Sequence, residues 1–166
     1  KENIDYSSYG TLYKKEINTK SIFASSSFEF QKNSFFSSIR SSNHDIYDDN
    51  LSWNVEGLRN LNSKWKIGLS RGSSFRSPVS SELYGFGGNI FLEPEINSSS
   101  EINIKRIRKN SRLNISVFKN NVTNLIDFDY QDYVLKNITQ ATNEGLEIRY
   151  KLLGNDWDVN FTFRAQ

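Results

Sequence analysis

The sequence of 166 residues has no cysteine, one histidine and two prolines. Without cysteine, neither a disulfide framework nor a thiolate metal site can form. His44 is the single histidine, so a metal site built from several histidines is excluded, and its polar surroundings contain no nucleophile motif such as G-x-S-x-G. We therefore expect no catalytic residues, no metal and no cofactor.

The chain also lacks a strong charge of one sign and any long apolar run. Its 21 Lys and Arg residues against 19 Asp and Glu give a net charge of +2, so we expect no nucleic-acid partner. No window of about 18 apolar residues exists, which excludes a membrane-spanning helix. The first ten residues lack the apolar core of a signal peptide, and the last seven stop within an alternating run. We predict that the chain is a fragment of a longer protein.

The dominant pattern that is present is alternation of apolar and polar residues with a period of two, which is typical of half-exposed strands. In the run at 157–164, for example, Trp157, Val159 and Phe161 share one face. Similar runs occur at 51–56, 64–71, 112–117 and 146–152, with noisier ones at 21–30, 34–40 and 96–107. The pattern predicts about eight strands, each near the length that crosses a bilayer when tilted.

Short and long connections take turns along the chain. The short ones lie at 31–33, 60–64, 109–112 and 154–156, and the long ones at 41–50, 74–95 and about 121–143. Because antiparallel strands return the chain to alternate ends, all long connections fall at one end, as in outer-membrane barrels. We predict an all-β, antiparallel up-and-down meander that forms part of a transmembrane barrel. A soluble, secreted β-sandwich binding module and a passive porin-like barrel remain the alternatives.

Three motifs carry a resemblance to a known family. Residues 74–78 read S-F-R-S-P and residues 88–95 read G-N-I-F-L-E-P-E, which resembles the S-F-R-A-P and G-N-x-x-L-x-P-E signature of TonB-dependent receptors, with Ser77 where alanine is usual. The segment at 118–130 resembles the strand that follows, and 143–147 its N-x-G-x-E start. The motif residues are Phe75, Arg76, Pro78, Gly88, Asn89, Leu92, Pro94, Glu95, Asn143, Gly145 and Glu147. The likeness covers residues from about 20 to 166 and is strongest to members that transport cobalamin.

The resemblance implies a fold and a role. Residues 1–166 would be part of a roughly 22-stranded barrel domain, with 1–18 an extracellular loop and 19–166 strands and loops, and with the N-terminal plug domain absent. The whole protein would be an active transporter of the bacterial outer membrane, expected to be a monomer. Its partners would be membrane lipid, a large scarce nutrient (cobalamin or a ferric siderophore-like chelate) and the TonB energy-transducing protein, which acts through the plug.

The long connections hold the candidate ligand-binding residues. These are Arg76, Tyr84, Phe86, Asp129, Tyr130 and Tyr133. Loop aromatics bind a large ligand by burying area and stacking, although they also pack loops together. Asp45, Asp48, Asp49, Asp127, Asp129 and Asp132 form two acidic stretches without EF-hand spacing, so we interpret them as solvated carboxylates. Gly85, Gly87 and Gly88 are expected to allow positive φ where the long loop folds back.

Overall fold

A computed structural model describes the backbone of residues 2–8, 11–47 and 49–166 and the side chains of 18–47 and 49–166. The acidic candidate Asp48 lies outside the described residues. The strands are β1 (Glu2–Ser8), β2 (Thr11–Ile17), β3 (Thr19–Phe30), β4 (Asn33–His44), β5 (Asn50–Asn60), β6 (Trp65–Arg76), β7 (Glu95–Arg108), β8 (Ser111–Asp129), β9 (Val134–Leu153) and β10 (Asp158–Ala165), and the short helix α1 is Ser80–Tyr84. No helix in these ranges is long and apolar enough to cross a membrane.

Strands β3 to β10 form one eight-stranded antiparallel sheet in which sequence neighbours are always spatial neighbours. This confirms the predicted meander and its strand number. The sheet is open in this chain, with β3 and β10 at its edges, and β1 pairs only with β2 in a separate hairpin. A β-sandwich needs a second sheet against the first. The described residues supply one large sheet and a hairpin, so the sandwich alternative is wrong.

The two faces of the sheet differ in chemistry and in exposure. Leu69, Ile102, Val117 and Leu146 form one row across β6 to β9, and the first three are 56%, 48% and 52% exposed. On the opposite face Asn103, Ser116 and Glu147, neighbours in the next row, are at most 8% exposed. We call these the outer and inner faces. An exposed apolar face and a buried polar face reverse the usual order of a water-soluble protein.

Short and long connections alternate as predicted. Two long connections contain regular structure: helix α1 lies in the connection at 77–94, and strands fill most of the stretch at 121–143. The turns at 31–32, 61–64, 109–110 and 154–157 close one end of the sheet, and the connections at 45–49, 77–94 and 130–133 lie at the other. The stretch at 121–143, expected as an irregular loop, is mostly paired strand. Pairing of β8 with β7 ends at Thr123, whereas its pairing with β9 continues to Asp129. Residues 124–137 therefore project beyond the sheet as a two-stranded ribbon.

Residues 1–18, expected as an extracellular loop, contain the hairpin of β1 and β2. Nothing in the fold tests on which side of a membrane this hairpin lies, so its position stays a prediction.

The buried apolar side chains of the described residues are Leu83 and Leu92, which are 4% and 2% exposed. Both belong to the connection at 77–94. The small apolar core of the described chain thus lies within a loop and not under the sheet.

Candidate functional site

The connection at 77–94 folds down on the ribbon at 124–137, and we call these two segments together the outer-loop cluster. Strand alternation carries the inner face up into the ribbon through Ile126 and Phe128 on β8 and their partners Asn137 and Leu135 on β9. The loop contacts the ribbon through Leu135, Asn137 and Phe128. It therefore covers the inner face at the long-connection end of the sheet.

Arg76 holds the base of the loop closed. It is the last residue of β6 and pairs with Glu95, the first residue of β7. Its Nε and Nη2 donate to Glu95 Oε2 and Oε1 at 2.6 and 2.8 Å, and its Nη1 donates to both oxygens of Glu82 at 3.1 and 3.0 Å. We call Arg76, Glu82 and Glu95 the Arg76 clamp. The pair of Arg76 with Glu95 has the bidentate geometry in which guanidinium binds carboxylate most strongly.

The charges within the clamp stabilise one another. Hydrogen bonds from Arg76 hold the pKa of the Glu95 carboxyl below its ordinary value of 4.5, with a further contribution from the backbone N–H of Ile126. The same bonds to Glu95 and Glu82 raise the pKa of Arg76. Arg76 was predicted as a ligand-binding residue. Here its guanidinium is occupied by two carboxylates, which favours a structural role in setting the loop.

Helix α1 (Ser80–Tyr84) begins directly after the S-F-R-S-P motif. Pro78 precedes Val79, whose side chain has no acceptor for the first helical N–H groups. Glu82 supplies the reciprocal half of a capping box, because its Oε2 accepts from the Val79 N–H at 2.8 Å. Glu82 thus caps the helix and binds Arg76 with one carboxylate. As a result α1 is fixed to the ends of β6 and β7.

Asparagine side chains fasten the loop to the ribbon. Asn89 Nδ2 donates to the Leu135 carbonyl at 3.0 Å. Asn137 Oδ1 accepts from the Glu93 N–H at 2.8 Å, and its Nδ2 donates to the carbonyls of Glu93 and Asn124 at 2.9 and 2.7 Å. Asn124 Nδ2 donates in turn to Glu93 Oε2 at 2.9 Å. These amides satisfy backbone groups that a loop leaves without partners, so loop and ribbon form one unit.

Two glycines are needed where the loop turns back on itself. Gly87 has φ +65°, and a Cβ there would lie 2.5 Å from Phe128 Cε2. Gly88 has no positive φ, but a Cβ would lie 2.9 Å from Gly85 N and from the Leu83 carbonyl carbon. The expectation of positive φ is therefore confirmed for Gly87 and wrong for Gly85 (φ −80°) and Gly88. Gly88 is required by close packing instead.

An aromatic group sits on top of this unit. The rings of Phe86 and Phe128 are stacked with centroids 6.3 Å apart, and Tyr130 meets Phe128 edge-on at 5.2 Å. Phe86 is 66% exposed and Tyr130 is 79% exposed. We call Phe86, Phe128 and Tyr130 the aromatic triad. Large exposed rings held in fixed geometry suit contact with a bulky ligand.

The other predicted ligand residues lie around the triad in different settings. Tyr84 ends α1, and Tyr133 is 66% exposed in the ribbon turn with φ +54°. Asp129 lies on the outer face of the ribbon and accepts from Lys136 Nζ at 2.8 Å. This bond and two backbone N–H groups, those of Gln131 and Asp132, hold the pKa of Asp129 below its usual range. The structure brings Phe86 and Tyr130 together and leaves Asp129 apart.

The N-x-G-x-E motif lies elsewhere, on the inner face of β9. Glu147 accepts from Arg164 Nε and Nη2 at 3.1 and 2.5 Å and forms a second ion pair with Arg149 at 2.5 Å. Gly145 allows β10 to approach, since a Cβ there would collide with the Ala165 carbonyl oxygen. Asn143 accepts from Gln166 Nε2 at 3.4 Å. The motif thus fixes the pairing of β9 with β10 and places a buried carboxylate between two exposed arginines on the inner face.

Sequence reasoning missed three residues that organise the outer-loop cluster: Glu82, Phe128 and Asn137. Phe128 was quoted within a motif but given no role. Asn137 stands 44 positions from the backbone it binds, so no local pattern marks it. Glu82 stands three residues after Val79, which is not one of the Ser, Thr, Asp or Asn residues that mark a capping box in a sequence. Within the described side chains, no group of three or more His, Cys, Asp and Glu residues is placed to hold a metal ion.

An open up-and-down sheet with an apolar outer face, a polar inner face and all long loops at one end defines a class: a wall segment of a membrane-type β-barrel. The family model "TonB dependent receptor-like, beta-barrel" matches residues 2–166. The chain belongs to this family of receptors, as the three motifs indicated.

Curated relatives agree in sequence. The chain is 24% identical over 151 residues to a vitamin B12 transporter of Photobacterium profundum, covering 86% of this chain and 25% of the relative. It is 28% identical over 141 residues to the vitamin B12 transporter of Vibrio vulnificus (strain YJ016), covering 81% and 23%. The chain therefore spans about a quarter of the length of these relatives.

Solved structures agree in fold. The siderophore receptor PirA from Pseudomonas aeruginosa superposes with a TM-score of 0.80 at 20% identity, covering 92% of this chain and 32% of that one. A mutant of the ferric enterobactin receptor PfeA from the same organism gives 0.78 at 20% identity, covering 94% and 28%. Both likenesses concern the barrel fold alone.

Proposed function

We propose that the chain is part of an active transporter of the bacterial outer membrane for a large scarce nutrient, either cobalamin or a ferric siderophore-like chelate. The chain supplies barrel wall and extracellular loops, with 1–18 among those loops, and it has no catalytic role. The rest of the protein supplies the remaining strands and the N-terminal plug, through which TonB acts. The full-length protein is proposed to be a monomer surrounded by lipid.

The observation that carries this proposal is the outer-loop cluster on the inner face. In a passive porin-like barrel, the loops have no ligand to bind and need only leave the pore open. Here the Arg76 clamp and the bonds between Asn137 and Glu93 fix a loop above the inner face, and Phe86 and Tyr130 of the aromatic triad are exposed on top of it. A fixed, exposed aromatic surface at the mouth of a barrel is what capture of a bulky solute requires, because rigid rings lose little entropy on binding.

The membrane assignment is supported by the outer face. Its exposed rows include Phe163, Phe161, Ile102, Leu69 and Phe35, each between 48% and 57% exposed. In water this area would drive aggregation. Against lipid the same residues are stabilising, and the ladder hydrogen bonds of β3 to β10 satisfy the backbone within the sheet.

The test is uptake by the full-length protein in cells. Radiolabelled cobalamin and ferric chelates are supplied to cells with and without the protein, and with and without an energised inner membrane. We expect accumulation that requires both the protein and energy. Accumulation that ignores energy supports the passive porin-like alternative, and no accumulation of any of these solutes refutes the transport proposal.

A variant pair tests the triad. Phe128→Ala removes both ring contacts, each worth about 0.5–1.5 kcal/mol, so we expect ligand binding to weaken about tenfold. Phe163→Ala removes an equally large ring from the outer face of β10, where it is 57% exposed, and is expected to leave binding unchanged. Equal ligand affinities of the two variants would show that the aromatic triad is not part of the binding site.

A further inference from the structure

A cavity lies at the long-connection end of the sheet, away from the aromatic triad. It has a volume of about 320 Å³ and sits between the connection at 45–49 and the first part of the connection at 77–94. Its polar lining includes Arg40, Ser42, His44, Tyr47, Ser52 and Ser77. Arg40 pairs with Ser52, and alternation places both on the inner face.

Arg40 gives this cavity a positive charge. Its Nη2 donates to Ser21 Oγ at 3.0 Å. Among the residues that the structure describes, it forms no ion pair. Arg40 is exposed, and one of the five N–H donors of its guanidinium binds Ser21, so the others are available to an anion that binds in the cavity. Ser21 also shares a hydrogen bond with Ser42 at 2.9 Å, which fixes the hydroxyl that orients Arg40.

His44 and Tyr47 add donors from the loop side, with ring centroids 5.0 Å apart. The Nδ1 of His44 accepts from the Ile46 N–H at 3.2 Å, so in the neutral ring the proton sits on Nε2. Tyr47 Oη is buried and has no hydrogen-bond partner among the residues that the structure describes. Burial raises the pKa of Tyr47 to about 12, with Tyr84 and Glu82 adding to the effect. Its hydroxyl therefore keeps its proton at neutral pH and is a donor.

No carboxylate of the described chain lines the cavity. Two carboxylates on the segments that border the cavity have partners of their own: Asp45 accepts from Asn18 N and Nδ2 at 2.8 and 3.1 Å, and Glu82 belongs to the Arg76 clamp. The lining is thus rich in donors, poor in charged acceptors and carries the cation of Arg40. A buried hydroxyl without a partner calls for an explanation, and a ligand with acceptor oxygens supplies one.

We propose that this cavity binds an oxyanion, a phosphate or carboxylate group, with Arg40 as its cation and Tyr47 Oη and His44 Nε2 as hydrogen-bond donors. The use of the site to hold an anionic part of a nutrient rests on the proposed transport function. Binding of the oxyanion itself does not.

The experiment uses the purified full-length protein in detergent, with inorganic phosphate as the probe. Equilibrium dialysis with radiolabelled phosphate at constant ionic strength measures binding to wild type, Arg40→Gln, Tyr47→Phe and Arg112→Gln. Arg112 is the matched control, because it lies on the inner face but at the short-turn end of β8 and is exposed. The heat-dependent electrophoretic shift of the folded barrel verifies that each variant is folded.

We expect saturable binding at one site in wild type. Loss of a charged donor weakens it about tenfold or more in Arg40→Gln, and loss of a neutral donor about threefold in Tyr47→Phe. Arg112→Gln binds as wild type does. Absence of saturable binding to wild type overturns the proposal, as does equal binding by Arg40→Gln and wild type. Because dialysis does not involve uptake, phosphate binding without nutrient transport would refute the proposed function and leave this site standing.

Discussion

Replacing Arg76 by glutamine removes the cation of the Arg76 clamp while keeping a polar side chain of similar length. In the wild type, the side chains of Arg76, Glu82 and Glu95 are 44%, 20% and 12% exposed. Without Arg76, the two carboxylates that share its guanidinium in the wild type face each other across the base of the loop. The connection at 77–94 should then open more often.

The magnitude follows from exposure and geometry. Ion pairs in water contribute about 0.2–1 kcal/mol each. Arg76 makes two such pairs, and the one with Glu95 is both bidentate and the better shielded of the two. We expect the closed loop to lose about 1–2 kcal/mol, which corresponds to an opening equilibrium increased about 5- to 30-fold. Arg76→Lys keeps the charge but cannot form the bidentate pair with Glu95, so it should lie between wild type and Arg76→Gln.

Hydrogen–deuterium exchange of the full-length protein, read by mass spectrometry, measures this opening directly. Amides at 77–94 and 124–137 should exchange about 5- to 30-fold faster in Arg76→Gln, since local opening sets their rates, while β3 and β4 stay unchanged. Lys119→Gln is the matched control, because it removes an ion pair of 2.7 Å to Glu144 in which both side chains are more than half exposed. Loop exchange in Arg76→Gln equal to that in Lys119→Gln would refute the structural role of the clamp.

Three further predictions concern the same unit. Gly87→Ala places a Cβ 2.5 Å from Phe128 at φ +65° and should accelerate loop exchange, whereas Gly57→Ala, with 3.7 Å to the nearest atom and no positive φ, should not. Asn137→Ala removes two hydrogen bonds between loop and ribbon and one within the ribbon; limited proteolysis should cut the loop faster than in Asn155→Ala, a change in an exposed turn. Because Arg76 lowers the pKa of Glu95, the clamp contributes fully above the ordinary value of 4.5 and its contribution is lost as pH falls through the lower folded value. Distances between spin labels on loop and ribbon should therefore broaden in acid and stay sharp at pH 7, and sharp distances in acid would contradict this.

The strands were predictable because each has one face in contact with a different phase. Alternation of Trp157, Val159 and Phe161 marks such a strand without knowledge of its neighbours. The order of the sheet followed from the same information, since short turns oblige consecutive strands to pair. For the glycines of the connection at 77–94, the sequence predicts a positive φ only for the group and not for a particular residue. Whether Gly87 or Gly88 takes the positive φ depends on contacts with Phe128 and Leu83, which come from other parts of the fold.

The candidate site was harder to predict because its parts meet through long-range contacts. The sequence marks Phe86 and Tyr130 as loop aromatics, but their common partner Phe128 looks like an ordinary strand residue. The length of β8 and β9 could not be predicted from the sequence either, because polar residues such as Asn120, Asn121 and Asn124 are typical of loops. Pairing with β9 keeps most of these residues in a strand, and tertiary pairing overrides a weak local preference.

The central claim is that this chain forms barrel wall in an outer membrane, with its long connections outside. Single cysteines at Gln131 and Asn110 of the full-length protein test it, because both positions are exposed and lie at opposite ends of β8. The described chain contributes no native cysteine. A membrane-impermeant maleimide applied to intact cells should label Gln131→Cys and leave Asn110→Cys unlabelled until the outer membrane is permeabilised. Labelling of both positions in intact cells would contradict the barrel, and labelling of Asn110→Cys alone would contradict the orientation.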